Sequence, residues 1–487
     1  MAEPQQTHPQ QAQADAADYD LIVIGAGPVG ENLADRAVRG GLTATIVESE
    51  LVGGECSYWA CMPSKTLLRP GSVLRAARVV PGAAAAVGGG VDVGATLASR
   101  DAIVHEWNDD GQVDWLRDAG IDLVRGHGRL DGEKTVRVEA SDGTERVLRA
   151  RHAVAICTGS AALLPDVPGL ADVDPWTSRE ATSVHEVPSS LAILGGGVVA
   201  SEMATAFASL GSSVTMIVRS HLLGTVEPFA ADAVAQSLED AGVDLRRGVE
   251  IAQATRDGAL VTLTLTDGST VQAVELLIAT GRVPRTGDVG LSSIGLEDGA
   301  WLDVDDTLRV AGADWLYAAG DVTHRALLTH QGKYQARAAG DVIAARATGA
   351  PVDDAPWGAH VATADHRAVP QVVFTEPQVA AVGLTAQKAK DAGLRTRTLE
   401  VDLGQLAGAA TRARGYRGTA QAIVDEDRGV IVGATLVGDD VGELLHAVTI
   451  AVVGEVPIDR LWHAVPSYPT LSELWLRWLE DYGRPTP

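Results

Sequence analysis

A chain of 487 residues is too long for one hydrophobic core and fits roughly three domains of ~150 residues each. Its composition, 46% hydrophobic and 21% charged, is that of a soluble globular protein, with no run of about 18 apolar residues to span a bilayer. The 39 basic against 64 acidic residues leave a net charge of −25, which repels nucleic-acid phosphates and excludes that class of partner.

Residues Met1 to Ala17 are rich in Gln, Ala and Pro and lack the basic start and apolar stretch of a secretory signal. They read as a disordered tail on a cytoplasmic protein. Three cysteines cannot build a disulfide framework, and in a reducing compartment a close pair is catalytic or metal-binding rather than a staple.

The first ordered element is the apolar run Leu21 to Ile24, followed by Gly25-Ala26-Gly27-Pro28-Val29-Gly30 and a helical pattern to Arg39. A second strand, Thr43 to Val47, ends on Glu48, about 20 residues after the glycine turn. This is a complete dinucleotide-binding βαβ unit. Gly25 permits the tight turn, Gly27 lets backbone approach a pyrophosphate, Gly30 lets helix pack on strand, and Glu48 accepts from a ribose hydroxyl.

The same grammar returns at Leu191 to Leu194, with Gly195-Gly196-Gly197-Val198-Val199-Ala200, a helix to Leu210 and a strand Val214 to Val218. Ala200 is small enough for the third glycine position. This second strand runs into Arg219 rather than an acid, which suits a 2′-phosphate and favours NADPH over NADH. The alternative for Arg219 is a solvated loop residue.

Two dinucleotide folds imply two dinucleotides, one of which can be a tightly held flavin and the other a diffusible nicotinamide. Leu316 to Val322 reads as a strand ending on the Gly320-Asp321 turn, its acid placed for a sugar-like hydroxyl chain or acting as a plain turn aspartate. From about Asp365 the pattern changes to short strands, Val369 to Phe374, Val379 to Gly383 and Gly429 to Leu436, then an apolar helix around Glu443 to Val453. The expected fold class is therefore α/β, with two Rossmann-like domains and a C-terminal α+β domain. Ala83 to Val93, rich in Ala, Gly and Val, reads as a surface loop.

Directly after Glu48 and the following loop comes Gly53-Gly54-Glu55-Cys56-Ser57-Tyr58-Trp59-Ala60-Cys61-Met62-Pro63-Ser64-Lys65. Cysteines five apart can meet across a distorted helical turn. No metal site is expected, since zinc would need two further ligands and Cys157 lies in a strand-like apolar run. The pair reads as a dithiol switch.

This segment, placed between two dinucleotide fingerprints and followed by Thr158-Gly159, Ala279 to Pro284 and Gly320-Asp321, resembles the class I pyridine nucleotide-disulfide oxidoreductases. That family includes dihydrolipoamide dehydrogenase, glutathione reductase and mercuric reductase, and the likeness covers about residues 19 to 480. The resemblance implies a homodimer. It implies an FAD domain in two segments, 19–160 and 285–355, around an NAD(P) domain at 161–284, with a dimerisation domain at 365–487 after the 1–18 tail. Gly25, Gly27, Gly30, Glu48 and Asp321 would hold FAD, with Gly54, Lys65 and Gly159 as further cofactor contacts. Gly195, Gly197 and Ala200 would hold the nicotinamide dinucleotide, with Arg219 and Gly281. Cys56 would exchange with substrate and Cys61 lie against the flavin, while Lys65 and Glu202 match a pair near the flavin ring. Electrons would pass from NAD(P)H through FAD to the Cys56–Cys61 disulfide.

One departure stands out. The disulfide reductases of this family end on His-Pro-Thr with a Glu three residues after the Thr, the His serving as base for the partner subunit's thiol. Here the segment is Tyr468-Pro469-Thr470-Leu471-Ser472-Glu473, so Tyr468 replaces the His while Glu473 is retained. Thiol exchange needs a proton acceptor working near neutral pH, and a tyrosine of ordinary pKa about 10 is a poor one. His463, five residues earlier, is the nearest substitute. Expected acceptors are therefore a quinone, a metal ion or an unusual disulfide. The alternatives are a conventional disulfide reductase using Tyr468 or water, and a non-catalytic redox or nucleotide sensor.

Overall fold

The computed structural model describes residues 18–484, so the expected N-terminal tail lies outside the described residues. By internal packing the chain forms two compact units, one of residues 18–54, 108–160 and 284–362, the other of 55–107, 161–283 and 363–484.

In the first unit the strand Tyr19–Ile24 has Leu21, Ile22 and Val23 fully buried and Ile24 4% exposed. A strand apolar on both faces belongs at the centre of a parallel sheet covered by helices. It pairs in parallel with Ala44–Glu48 on one side and with the end of Glu145–Ile156 on the other. Outside these lie Ile121–Arg125 and Leu316–Ala318. The register decides the site, because Ile24 stands opposite both Val47 and Ile156, and Ile156 opposite Ala318. Four carboxyl-terminal strand ends therefore align along one sheet edge. The helices Pro28–Arg39 and Thr329–Thr348 pack closely through Gly340, where a Cβ would come within 2.5 Å of the Leu33 carbonyl oxygen. The first half of Glu145–Ile156 turns away to form an antiparallel ladder with Thr135–Glu139 and His127–Leu130.

The second unit repeats the parallel pattern with Ser190–Leu194 between Ser213–Val218 and Glu275–Ile278, and Asp244–Arg247 at the edge. The helix Val198–Ser209 leaves the first of these strands through the second glycine turn. A small antiparallel sheet, Ile251–Asp257, Leu260–Leu265 and Thr270–Ala273, flanks it. The C-terminal region is a five-stranded antiparallel sheet in the order Pro370–Val373, Gln378–Gly383, Val430–Gly438, Thr419–Asp425 and Thr396–Asp402. Leu445–Val453 and Leu474–Tyr482 are the longest helices of this region, and Trp478, 1% exposed, donates its indole N–H to the Ala420 carbonyl at 3.1 Å. The last two strands named escape the sequence reading, since their polar faces carry Thr398, Glu400 and Gln421. The expected loop at 83–93 holds a short 3-10 turn, Ala84–Ala86, and ends as Asp92 caps the helix Val93–Ile103.

Candidate functional site

Gly25 adopts φ +103°, and a Cβ there would sit 2.5 Å from the Cys157 carbonyl oxygen. Gly30 would place a Cβ 1.9 Å from the Gly25 carbonyl oxygen, so both positions exclude any side chain. Gly27 has nothing within 4 Å of its Cβ position, which leaves the backbone open to a ligand at the start of Pro28–Arg39. Glu48 accepts from the Ala26 N–H at 2.7 Å and the Glu50 N–H at 2.8 Å. A carboxylate offers about four acceptor positions, so two bonds leave room for ribose hydroxyls. The dithiol motif is tied to this turn by its leading glycines. Gly53 donates to the Ala26 carbonyl at 2.7 Å, and a Cβ on Gly54 would stand 2.8 Å from the Gly27 Cα.

Asp321 follows Gly320, whose N–H donates to the buried Gln335 side chain at 2.7 Å, and accepts from the Ser160 hydroxyl at 2.5 Å. Gly159 takes φ +73° just before that serine. Open glycine backbone, an acid at the adjoining strand end and a further acid at 321 together fit FAD. Cys157 is buried and its thiol is pushed up to about 12 by burial, which makes it a packing residue.

In the second unit Gly195 takes φ +136° with its Cβ position 2.2 Å from the Ala279 carbonyl oxygen, Gly197 is open, and Ala200 is fully buried. Gly281 takes φ +153°. Arg219 stands just after the strand Ser213–Val218 with its side chain 82% exposed, 3.6 Å from Glu250. It is thus available to an anionic ligand.

Cys56 lies in the short helix Gly54–Tyr58, and Cys61 opens the 19-residue helix Cys61–Val79. The aligned amides at that helix start favour negative charge on a sulfur placed there. One turn on, Lys65 reaches Glu202 of Val198–Ser209 at 2.6 Å. The two helices can approach because Gly71 lacks a Cβ, which would lie 2.7 Å from the Ser209 side chain. The carboxylate of Glu202 is 4% exposed and also accepts from the Phe374 N–H at 3.0 Å. The Lys65 ammonium stands 4.9 Å from the centroid of the Phe374 ring. Beside them a groove of about 1400 Å³ is lined by Met62, Lys65, Arg69, Val73, Phe374 and Arg412.

Tyr468 is 77% exposed, in an irregular stretch before the helix Leu474–Tyr482. Glu473 is 6% exposed and its Oε2 has no hydrogen-bond partner among the described residues. His463 is exposed in the turn after Ile458–Leu461.

Four contributors escape the sequence reading. Phe374 lies 172 residues from Glu202, and no local pattern links them. Ser160 continues the Thr158-Gly159 signal and could have been added to it. Glu31, the residue after the third glycine, has a sealed Oε1 without a hydrogen-bond partner among the described residues and a carboxyl pushed up to about 7 by burial, with Glu48 adding to the shift and Lys333 opposing it. Arg179 lies over the dithiol loop. Nothing in a one-dimensional pattern marks either of the last two.

Residues 19–342 match the pyridine nucleotide-disulphide oxidoreductase family and residues 369–477 its dimerisation domain. A mercuric reductase from Staphylococcus aureus is 31% identical over 463 residues, covering 94% of this chain and 81% of its own. A dihydrolipoyl dehydrogenase from Haloferax volcanii is also 31% identical, covering 94% and 95%. Among solved structures, LpdA from Mycobacterium tuberculosis superposes with a TM-score of 0.81 at 26% identity, covering 95% of this chain and 99% of that one. The copper(II) complex of the HOCl-induced flavoprotein disulfide reductase RclA from Escherichia coli shares the fold, with a TM-score of 0.81 at 24% identity over 96% and 100%. No described helix is long and apolar enough to cross a membrane. The chain belongs to the pyridine nucleotide-disulphide oxidoreductases, flavin-dependent enzymes that bind FAD and NAD(P)H.

Proposed function

We propose that this enzyme oxidises NADPH and delivers the electron pair through the Cys56–Cys61 dithiol to an acceptor that needs no histidine base: a quinone, a thiophilic metal ion or an unusual disulfide. The observation that carries the reading is Tyr468, exposed where the disulfide reductases carry their base, with Glu473 five residues further on buried and lacking a partner for Oε2 among the described residues. Bound FAD supplies a two-electron relay between nicotinamide and thiols. The protein's own part is to hold Cys56 in the short helix Gly54–Tyr58 and Cys61 at the start of the next helix, with a fixed ammonium one turn later.

The dithiolate gives two electrons and closes to a disulfide. A quinone takes those electrons with two protons from water, and a divalent metal ion takes them without protons, so neither needs a residue to protonate a leaving thiol. Mercuric reductases among the relatives and a copper complex of a structural neighbour support the metal-ion branch. Of the three cysteines only Cys56 and Cys61 can present a thiolate to such an ion, because Cys157 is buried.

Anaerobic NADPH titration followed by an acceptor screen tests this. The expected result is a long-wavelength charge-transfer band on two-electron reduction, and quinone or Hg(II) turnover that is lost in Cys56→Ser. Immediate flavin bleaching without the band, or turnover untouched by Cys56→Ser, overturns it. Rapid reduction of a dihydrolipoamide-type disulfide would instead favour a conventional reductase using Tyr468 or water.

A further inference from the structure

The loop that carries the two cysteines is gripped from outside by the six-residue helix Ser178–Ser183. The Arg179 guanidinium lies 3.8 Å from the centroid of the Trp59 ring and 3.1 Å from the Glu55 carboxylate. Glu55 immediately precedes Cys56, and Trp59 lies two residues before Cys61. The Thr182 hydroxyl donates to the Trp59 carbonyl at 2.8 Å. Tyr58, 1% exposed, anchors the loop from within and stands 5.6 Å from Trp59.

The gripping helix is itself fixed at both ends. Thr177 and Glu180 form a reciprocal capping box, and the Arg179 N–H donates to the Thr177 hydroxyl at 3.2 Å. At the other end the fully buried Arg100 donates to the carbonyls of Thr182 at 2.5 Å and Val184 at 2.7 Å. A helix this short has little stability of its own. Its rigidity is supplied by these contacts and passed to the dithiol loop.

We propose that Arg179 is a positioning residue that presses the residues flanking Cys56 and Cys61 into one geometry and so sets the equilibrium between dithiol and disulfide. This rests on reading Cys56 and Cys61 as a redox pair. Closing a disulfide joins two sulfurs of one chain, and its equilibrium constant rises with their effective concentration, which is set by how tightly the intervening loop is held. A planar guanidinium stacked on indole and paired with a carboxylate restrains both flanks at once, which a lysine cannot do.

The experiment equilibrates FAD-loaded protein with a reduced and oxidised glutathione buffer, in which two thiols and one glutathione disulfide give the protein disulfide and two glutathiones. Alkylation and mass measurement then count the remaining thiols. In Arg179→Ala the constant for disulfide formation should fall about tenfold, equivalent to about 30 mV. Arg179→Lys should recover part of it, and Arg179→Ala/Trp59→Leu should be no worse than the single variant. A constant unchanged in Arg179→Ala overturns the proposal, because a helix that merely packs would alter folding stability and not this ratio. Should Arg179→Ala fail to fold, Glu55→Gln removes only the ion pair and must still lower the constant, and an unchanged value overturns the clamp. A wild-type protein that forms no disulfide in the buffer overturns the redox reading of the pair as well.

Discussion

Glu31 offers the sharpest quantitative test of the flavin cradle. It stands in the first turn of Pro28–Arg39, where a carboxylate ordinarily gains about 0.3–1 kcal/mol from the helix dipole. Burial outweighs that gain and Glu48 adds like-charge repulsion, while Lys333 opposes both, and the carboxyl ends at about 7 against 4.5 for a free one. A raised carboxyl binds protons in the folded state that the unfolded chain has released, so stability from this group is highest at low pH and is lost as pH climbs from about 4.5 to about 7. The full loss is roughly 3 kcal/mol. Glu31→Gln removes the titration while keeping the volume. The variant should therefore exceed wild type by roughly 3 kcal/mol at pH 8 and by less than about 1 kcal/mol at pH 5. Urea unfolding of FAD-loaded protein between pH 5 and 8 measures the difference. An equal gap at both ends of the range would refute the argument, since it would mean that packing and not ionisation distinguishes the two side chains. A flavin diphosphate at the adjacent turn would add negative charge and widen the gap at high pH.

The Lys65–Glu202 pair gives a second stability prediction. Lys65→Met leaves a carboxylate 4% exposed with only the Phe374 N–H, at a cost of about 3 kcal/mol in urea unfolding, and Lys65→Met/Glu202→Gln should recover most of it. Arg219→Ala should raise the KM for NADPH about tenfold and leave that for NADH unchanged, read by initial rates with each cofactor. Equal effects on both cofactors would show that the residue does not select the 2′-phosphate. Tyr468→His should raise turnover of a small disulfide by about a hundredfold, with a rate that climbs through the histidine titration near pH 6.5. No gain would mean that Glu473 is not placed to orient an imidazole at 468.

Much of this protein is legible in one dimension because its signals are local. A glycine turn must lie between a strand and a helix, the acid must follow at a set distance, and two cysteines five apart can share one distorted turn. Those constraints act over about 30 residues of chain, so the two βαβ units and the pairing of Cys56 with Cys61 can be read without coordinates, whereas Tyr468 in place of His is legible only through the family resemblance. Packing decided the rest. The segment 55–107 leaves the unit that contains both its flanks, Phe374 reaches Glu202 across 172 residues, and Arg179 comes to lie over Trp59 from 120 residues away. Burial turns Glu31 from an ordinary first-turn acid into a group that titrates near neutrality. The amino-acid order determines which chemistry is present. Only the folded chain decides which charges are desolvated and which loops are held, because both depend on neighbours that meet once the sheets and helices have closed around them.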